Sequence, residues 1–539
     1  MANVGLDFGT HQTKVCIEQG EDVSNLTYTF FTFKDLEGKE HYALPSTIQI
    51  NKDDTLSYGF INEADAKIGR KREVPDFNEP KPKEPEMILP KKPIKKVPKL
   101  GSEKSQLAAA LGMALLEKQY DAMYQRELEE WEQKCKPFEK QYTKALEKYN
   151  ADRLIYERKY DAWKLLKASE DGKMIFRNFK QAFYLGNHDY PWPYEIKPEI
   201  LSIWYLSYVL FCIDDYFLKL VEEGIGDGTY SLQVGVPTGK EGLKKQQKNA
   251  VRLFVSAFKL MDSFDHDFDL FKAAKLSELI SKTEFVDYHD LRSYENDKYF
   301  YNINVFPEAY AGLFVLTNKG ALMTGFNLLV DIGGGTTDVT FFTTNSTSNR
   351  PMIYNYDSVP KGLNYLIEFS MPLGWDKMSP NLGLKSPDLD SDKLLEAIQI
   401  YKEHLKKSTN NLQKLLWKER AKTTISKDIL EKALSKRPVI YSGGGSMEKD
   451  DLRGLIPPAF TDIRRLDVSD WGGLYIVDLD IIKRLGLCPI LSVSLGLAIT
   501  QNNDNIDDHM YSLEDIFSPY KPKEEGTYDY GRDKDLQDL

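Results

Sequence analysis

Short apolar runs separated by glycine turns dominate both ends of this chain, and a long stretch of charged heptads interrupts them. Between residues 4 and 17 an apolar run, VGLDF, leads through the turn GTHQT into a second run, KVCI, the pattern of two strands in a hairpin. LPSTIQI (44–50) reads as a further strand of the same sheet. From residue 199 onward, strands and helices alternate. A core helix over about 199–220 is followed by the strand LQVGVP (232–237) and an amphipathic helix near 241–260. The strand NLLVDIG (327–333), a helical region over about 388–435, the strand PVIYSGGG (438–445) and a last helix near 490–501 complete the pattern. Such alternation predicts an α/β architecture.

The interruption lies between these parts. Residues 74–99 hold seven prolines (75, 80, 82, 85, 90, 93 and 98) among lysines and glutamates. Proline supplies no backbone donor and disfavours helix at the preceding residue, so an extended strip is expected there. Over 103–168, Leu128, Cys135, Tyr142, Tyr149, Tyr156 and Trp163 recur every seven residues, joined by Trp131, Phe138 and Ala145 three positions later. This predicts a long coiled-coil-like helix or helical hairpin, kinked or divided at Pro137. Polar Asp152 and Lys159 make the seam imperfect. Two roles fit it: an arm folding on its own body, or an arm that docks another protein.

Composition narrows the class. The chain has 539 residues, 41% of them hydrophobic, enough for two or three domains with real cores. A formal net charge of −11 gives no reason to expect nucleic acid or an anionic membrane as partner. Cys16, Cys135, Cys212 and Cys488 show no paired spacing, which argues against a disulfide framework or a cysteine zinc site and fits a reducing cytoplasm. No basic-then-apolar leader opens the chain. ILSIWYLSYVLFCI (200–213) has 14 uncharged residues, short of the roughly 20 that cross a membrane, so a buried helix is expected and no membrane partner.

Three glycine turns carry the candidate chemistry: LDFGTHQTK (6–14), VDIGGGTTD (330–338) and IYSGGGSM (440–447). The first two share an aspartate at the strand end, a glycine two residues on and a nearby threonine. Glycines allow backbone N–H groups close to phosphate oxygens, and threonine hydroxyls add donors. Asp7 and Asp331 are expected to face each other across a polyphosphate and hold hydrated Mg²⁺, which needs only one or two carboxylates. No GxxxxGK[ST] sequence occurs, so this is not a Walker loop.

GLDFGT (5–10), DIGGGTTD (331–338) and SGGGS (442–446) resemble, in order, the two phosphate motifs and the adenosine motif of the superfamily of actin, sugar kinases and seventy-kilodalton heat-shock chaperones. KPEILS (197–202) through GVPTGKEGLKKQQKNA (235–250) resembles the corresponding stretch of the chaperone ATPase domain, and FPEAYAG (306–312) and LSVSLGLAI (491–499) resemble its two connecting helices. The resemblance implies a two-lobed actin-like (ribonuclease-H-like) α/β fold with a long helical insertion in lobe I. Lobe I would occupy 1–73 and 169–325, the insertion 74–168 and lobe II 326–488. A connecting helix at 489–503 and an acidic tail at 504–539 would follow.

It also implies a slow Mg²⁺-dependent ATP hydrolase that binds ATP and ADP. By motif, Asp7 and Asp331 organise the metal, while Gly9, Thr10, Gly333, Gly334, Gly335 and Thr336 contact phosphates. Asp338 lies near the nucleotide, and Gly443, Gly444 and Gly445 pass the adenosine. The chaperones' catalytic lysine is absent from its expected place, because counting from Gly59 in YGFINEADAK (58–67) reaches Glu63. Lys14 has the spacing of the phosphate-contacting lysine of actin and is the expected cation, with Lys67 as a second candidate. Phe306 stands where the chaperones carry a water-positioning glutamate, and Glu308 beside Pro307 resembles the arrangement of plasmid-segregating actins.

No peptide-binding domain fits after the last helix. The leading expectation is therefore a chaperone-like ATPase acting as a conformational switch for a protein partner, held by the insertion at 103–168 or by the tail. The alternative is an actin-like filament-forming ATPase. A small-molecule kinase on the same fold is a third class, for which no motif supplies a substrate-side base.

Overall fold

The computed structural model describes residues 2–20, 25–69, 77, 79–83, 90, 103–165, 173–184, 196–237, 243–318, 325–344, 351–359, 361–363, 366, 391–420, 428, 432, 434, 438–447 and 462–499. The expected tail at 504–539 and most of the proline strip lie outside them. The chain divides into one unit of residues 1–72 and 165–539 and a second of Glu73–Lys164.

The larger unit is mixed α/β with two main sheets, each organised around a hairpin. In the first, Ala2–Phe8 pairs antiparallel with Gln12–Gln19 on one side and parallel with Tyr230–Val236 on the other. Ile303–Pro307 extends the parallel side, and Thr27–Phe30 and Tyr475–Ile476 the antiparallel one. Val4, Leu6, Leu232 and Val234 on one face and Gln233 on the other are fully buried, as expected of central strands covered on both faces. In the second sheet Gly325–Ile332 likewise lies between an antiparallel return, Thr337–Thr344, and a parallel neighbour, Pro438–Ser442. Pro351–Val359 and Asp462–Arg465 form its edges.

One expectation needs correction. Only Leu44–Pro45 of LPSTIQI joins the first sheet, whereas Thr47–Ile50 belongs to a separate three-stranded sheet with Leu56–Tyr58 and Ile175–Arg177. The strand alternates too briefly for its face to be read from sequence. Tyr475–Ile476 pairs with Thr27–Tyr28, so the first sheet also includes a short strand from near the end of the described chain. Helix Pro198–Glu222 packs against Leu243–Asp262 in the core of the first sheet, and 67% of its apolar window is buried.

Helix Cys488–Ile499, buried along its whole length, packs on helix Glu308–Asn318 and on the first hairpin. The approach is close enough to demand glycine. A Cβ at Gly496 would lie 1.8 Å from the Ala311 carbonyl oxygen, and one at Gly5 would lie 2.2 Å from that of Ser494. Helix Ser391–Arg420 covers the second sheet with Ala397, Ile398, Tyr401 and Leu405.

In the larger unit the chain departs and returns at one place, because Ile68 and Lys173 form an antiparallel bridge and Met174 N donates to the Lys67 carbonyl at 2.8 Å.

The second unit contains one continuous helix, Glu103–Leu165. It runs through Pro137, which lies on an exposed face, so the expected division there does not occur. Leu128, Trp131, Cys135, Tyr142, Leu146, Tyr149 and Tyr156 form a covered or half-covered stripe. Phe138 is 58% exposed and Ala145 is exposed, so the stripe departs from the heptad seam at those positions. Leu146 takes the place of Ala145, a step that keeps the stripe nearer the 3.6-residue helical period.

Candidate functional site

Each hairpin carries an aspartate one residue before the end of its first strand, and the residue seven positions later faces it across the ladder. In the first hairpin the pair is Asp7 and Lys14, and the Lys14 Nζ donates to Asp7 Oδ2 at 2.9 Å. In the second it is Asp331 and Asp338. One framework therefore carries a salt bridge in the first sheet and two carboxylates in the second.

The turns between are tight. Gly9 N donates to the Asp7 carbonyl at 3.0 Å, and its own carbonyl accepts from Ser46 Oγ at 2.8 Å. Gly333 N donates to the Thr336 carbonyl at 2.9 Å, and Leu363 N to the Gly333 carbonyl at 3.0 Å. The two turns abut: a Cβ at Gly335 would meet Thr10 Cγ2 at 3.2 Å and Gln181 Oε1 at 2.5 Å. Gly334 and Thr336 complete the second turn.

The third glycine turn closes on the same aspartate. Gly443 has φ +77°, and a Cβ there would lie 2.2 Å from Asp331 Oδ1 and 2.4 Å from the Ile332 carbonyl oxygen. Gly444 and Gly445 open a 3₁₀ turn, Gly444–Met447, that packs on Leu363 and Ile332.

A second cation, this one buried, enters from a segment that sequence reading passed over. The short helix Phe179–Tyr184 buries Phe179, Lys180, Ala182 and Phe183. Lys180 Nζ donates to Glu308 Oε1 at 2.5 Å and lies 5.6 Å from the centroid of the Phe8 ring. Glu308 begins helix Glu308–Asn318, directly after the edge strand of the first sheet. The available signal was a lysine between aromatic residues in FKQAF (179–183), a spacing that puts lysine on an apolar face. Lys67, by contrast, pairs with Asp54, and both are partly exposed at a surface cleft with Lys275 and Ile280. It does not join the glycine turns.

The carboxylates are crowded. Burial, then Asp338, Asp7 and Glu308, push Asp331 up to about 8, while Lys14 opposes the shift. Burial pushes Asp338 up to about 7 despite a hydrogen bond from Ser358. Glu308 is raised by burial, with Lys180 opposing. Asp338 Oδ1 and Gln181 Oε1 are buried without a hydrogen-bond partner. Four carboxylates thus face two lysines, and a divalent cation fits the remaining charge. Among the described residues no group of three or more His, Cys, Asp or Glu is placed to hold a metal by itself. Such a cation would rest on one or two carboxylates plus water and phosphate oxygens, as Mg²⁺ does. Asp7 and Asp331 would hold it.

No protein-family model and no curated protein matches the chain. Among solved structures, the chain is similar to a ParM filament protein from Clostridium botulinum, with 13% identity over 53% of this chain and 72% of that one at a TM-score of 0.28. It is also similar to an archaeal actin homologue in complex with ADP, with 11% identity over 92% of this chain and 98% of that one at a TM-score of 0.30. A third likeness, to a PilM–PilN pilus biogenesis complex, has 14% identity over 42% of this chain and 58% of that one at a TM-score of 0.21. Likenesses of this size carry no functional argument, which rests on the geometry of the two hairpins.

Proposed function

We propose that this protein is a Mg²⁺-dependent ATP hydrolase of the actin-like kind, which grips the nucleotide's phosphates between its two glycine turns and assembles in response to ATP. The observation that carries the hydrolase reading is the convergence of Thr10, Gln181 and Gly335, with Asp7, Asp331, Lys14 and Lys180–Glu308 behind them.

The turns at Gly9–Thr10 and Gly333–Thr336 offer backbone N–H groups to phosphate oxygens. Lys14, held by Asp7, neutralises phosphate charge as it develops. Asp7 and Asp331 would hold Mg²⁺, which would supply further charge neutralisation. Glu308 orients water in line with the terminal phosphorus, and Lys180 fixes the direction of its carboxylate. The water oxygen bonds to phosphorus, the bond to the bridging oxygen breaks, and ADP and phosphate leave. Positioning and electrostatics supply most of such a rate enhancement.

The filament-forming reading is preferred to the chaperone-like switch because the residues that support it are both part of this cluster: Lys14 at its actin-like spacing is bonded to Asp7, and Glu308 follows Pro307. Phosphate release is the first test, with and without Mg²⁺, in the parent protein and Asp331→Ala. Removing such an electrostatic group costs about 3 kcal/mol, so turnover should fall at least about a hundredfold. Normal turnover in the variant would sink the site assignment. Light scattering with no nucleotide, ADP or Mg·ATP then separates the two modes of action. ATP-dependent growth in mass supports assembly, and a small species that still hydrolyses ATP supports the switch.

A further inference from the structure

The aromatic stripe of helix Glu103–Leu165 has an occupant within its own unit. Phe77 places its ring 5.6 Å from Tyr149 and 5.3 Å from Tyr156, stacked on the latter. Thirteen residues later, the Pro90 carbonyl accepts a hydrogen bond from the Tyr124 hydroxyl at 3.3 Å. Phe77 thus meets the later part of the helix and Pro90 an earlier part, so the two anchors are in reverse order to the helix.

The spans agree. From Tyr124 to the midpoint of Tyr149 and Tyr156 the helix covers about 40 Å at 1.5 Å per residue. Thirteen residues of polyproline II, at about 3.1 Å each, also cover about 40 Å. Pro80, Pro82, Pro85 and Pro90 favour that conformation before any contact is made, which lowers the entropic cost of laying the strip down.

We propose that, within the unit Glu73–Lys164, the proline strip anchored at Phe77 and Pro90 covers the aromatic stripe that would otherwise recruit a second helix. The partner of the stripe is then the chain's own proline strip, and the unit is not a coiled-coil dimerisation element. Its outward-facing residues, including exposed Phe138, are what remains for other molecules.

Two measurements on the full chain test this. In the first, Glu79→Cys and Arg153→Cys, exposed positions that flank the Phe77 contact and leave its rings intact, are combined and treated with a bis-maleimide at low protein concentration. The expected product is a cross-link between positions 79 and 153 within one chain, identified by mass spectrometry. Cross-links only between chains, or none at these positions, overturn the proposal. The second uses Cys135, only 7% exposed within the stripe, as a native reporter. Its labelling by a maleimide should accelerate at least tenfold in Phe77→Ala/Pro82→Gly/Pro90→Gly, with unchanged mass in light scattering. Protection that survives these substitutions but is lost on dilution would show that a second copy covers the stripe, and would overturn the proposal.

Discussion

Lys180 and Glu308, 128 positions apart in the chain, meet in an ion pair of 2.5 Å whose lysine is only 3% exposed. A buried charge is costly unless paired, so each residue stabilises the protein mainly by answering the other. Lys180→Met should destabilise the fold by about 3 kcal/mol and lower phosphate release at least a hundredfold. Combining it with Glu308→Gln should restore much of the stability and none of the turnover. Denaturant melts and phosphate-release assays on the single and double variants check both halves; recovered turnover in the double variant would remove the pair from the mechanism.

Asp331 makes the metal-free protein sensitive to pH. Its folded pKa, about 8, is above the ordinary carboxylate range, so the folded state holds the proton more tightly than the unfolded one. Stability should therefore fall as pH rises from about 4 to about 8, by up to roughly 1.4 kcal/mol per pH unit from this group. In EDTA, Asp331→Asn should melt higher than the parent protein at pH 8.5 and close to it at low pH. An equal difference at both ends of that range would contradict the charge crowding.

Gly443 has a conformational and a steric reason to be glycine. Gly443→Ala puts a side chain into left-handed backbone, at about 1–2 kcal/mol, and presses it on Asp331. Mg²⁺-dependent phosphate release should drop sharply while the far-ultraviolet circular dichroism stays unchanged. Retained turnover would place the third glycine turn outside the site.

Gly496 lies far from the phosphates in role, between two helices. Gly496→Val should destabilise by about 3 kcal/mol or more, because the clash is with the Ala311 backbone rather than with a flexible side chain. Thermal melts of the nucleotide-free protein read this directly, and a shift of less than about 1 °C would contradict such close packing.

The parts of the site legible in the sequence are those made locally. A strand, an aspartate and a glycine turn are contiguous, so the two hairpins and the facing of Asp7 with Lys14 follow from short-range pattern. Lys180 was not legible, because its meaning depends on Glu308, which only the closing of the first sheet brings near. Lys67 shows the converse: it follows a promising segment, yet the three-stranded sheet turns it toward Asp54. In the helical unit the period was visible, but the occupant of the stripe was not. A proline strip has no periodicity of its own to announce where it will lie.

The bridge between Ile68 and Lys173 has a consequence for how the chain can change over generations. The entropy of closing a loop grows only with the logarithm of its length, about 0.6 kcal/mol per doubling. Because the two ends are already held together by this bridge, everything between them can lengthen, shorten or be exchanged at small thermodynamic cost to the strands on either side. Replacing 69–172 by a short turn should leave those strands paired. Relatives of this protein are expected to differ most at this junction, in the reach of what they carry there, while the hairpins that face the phosphates stay the same length.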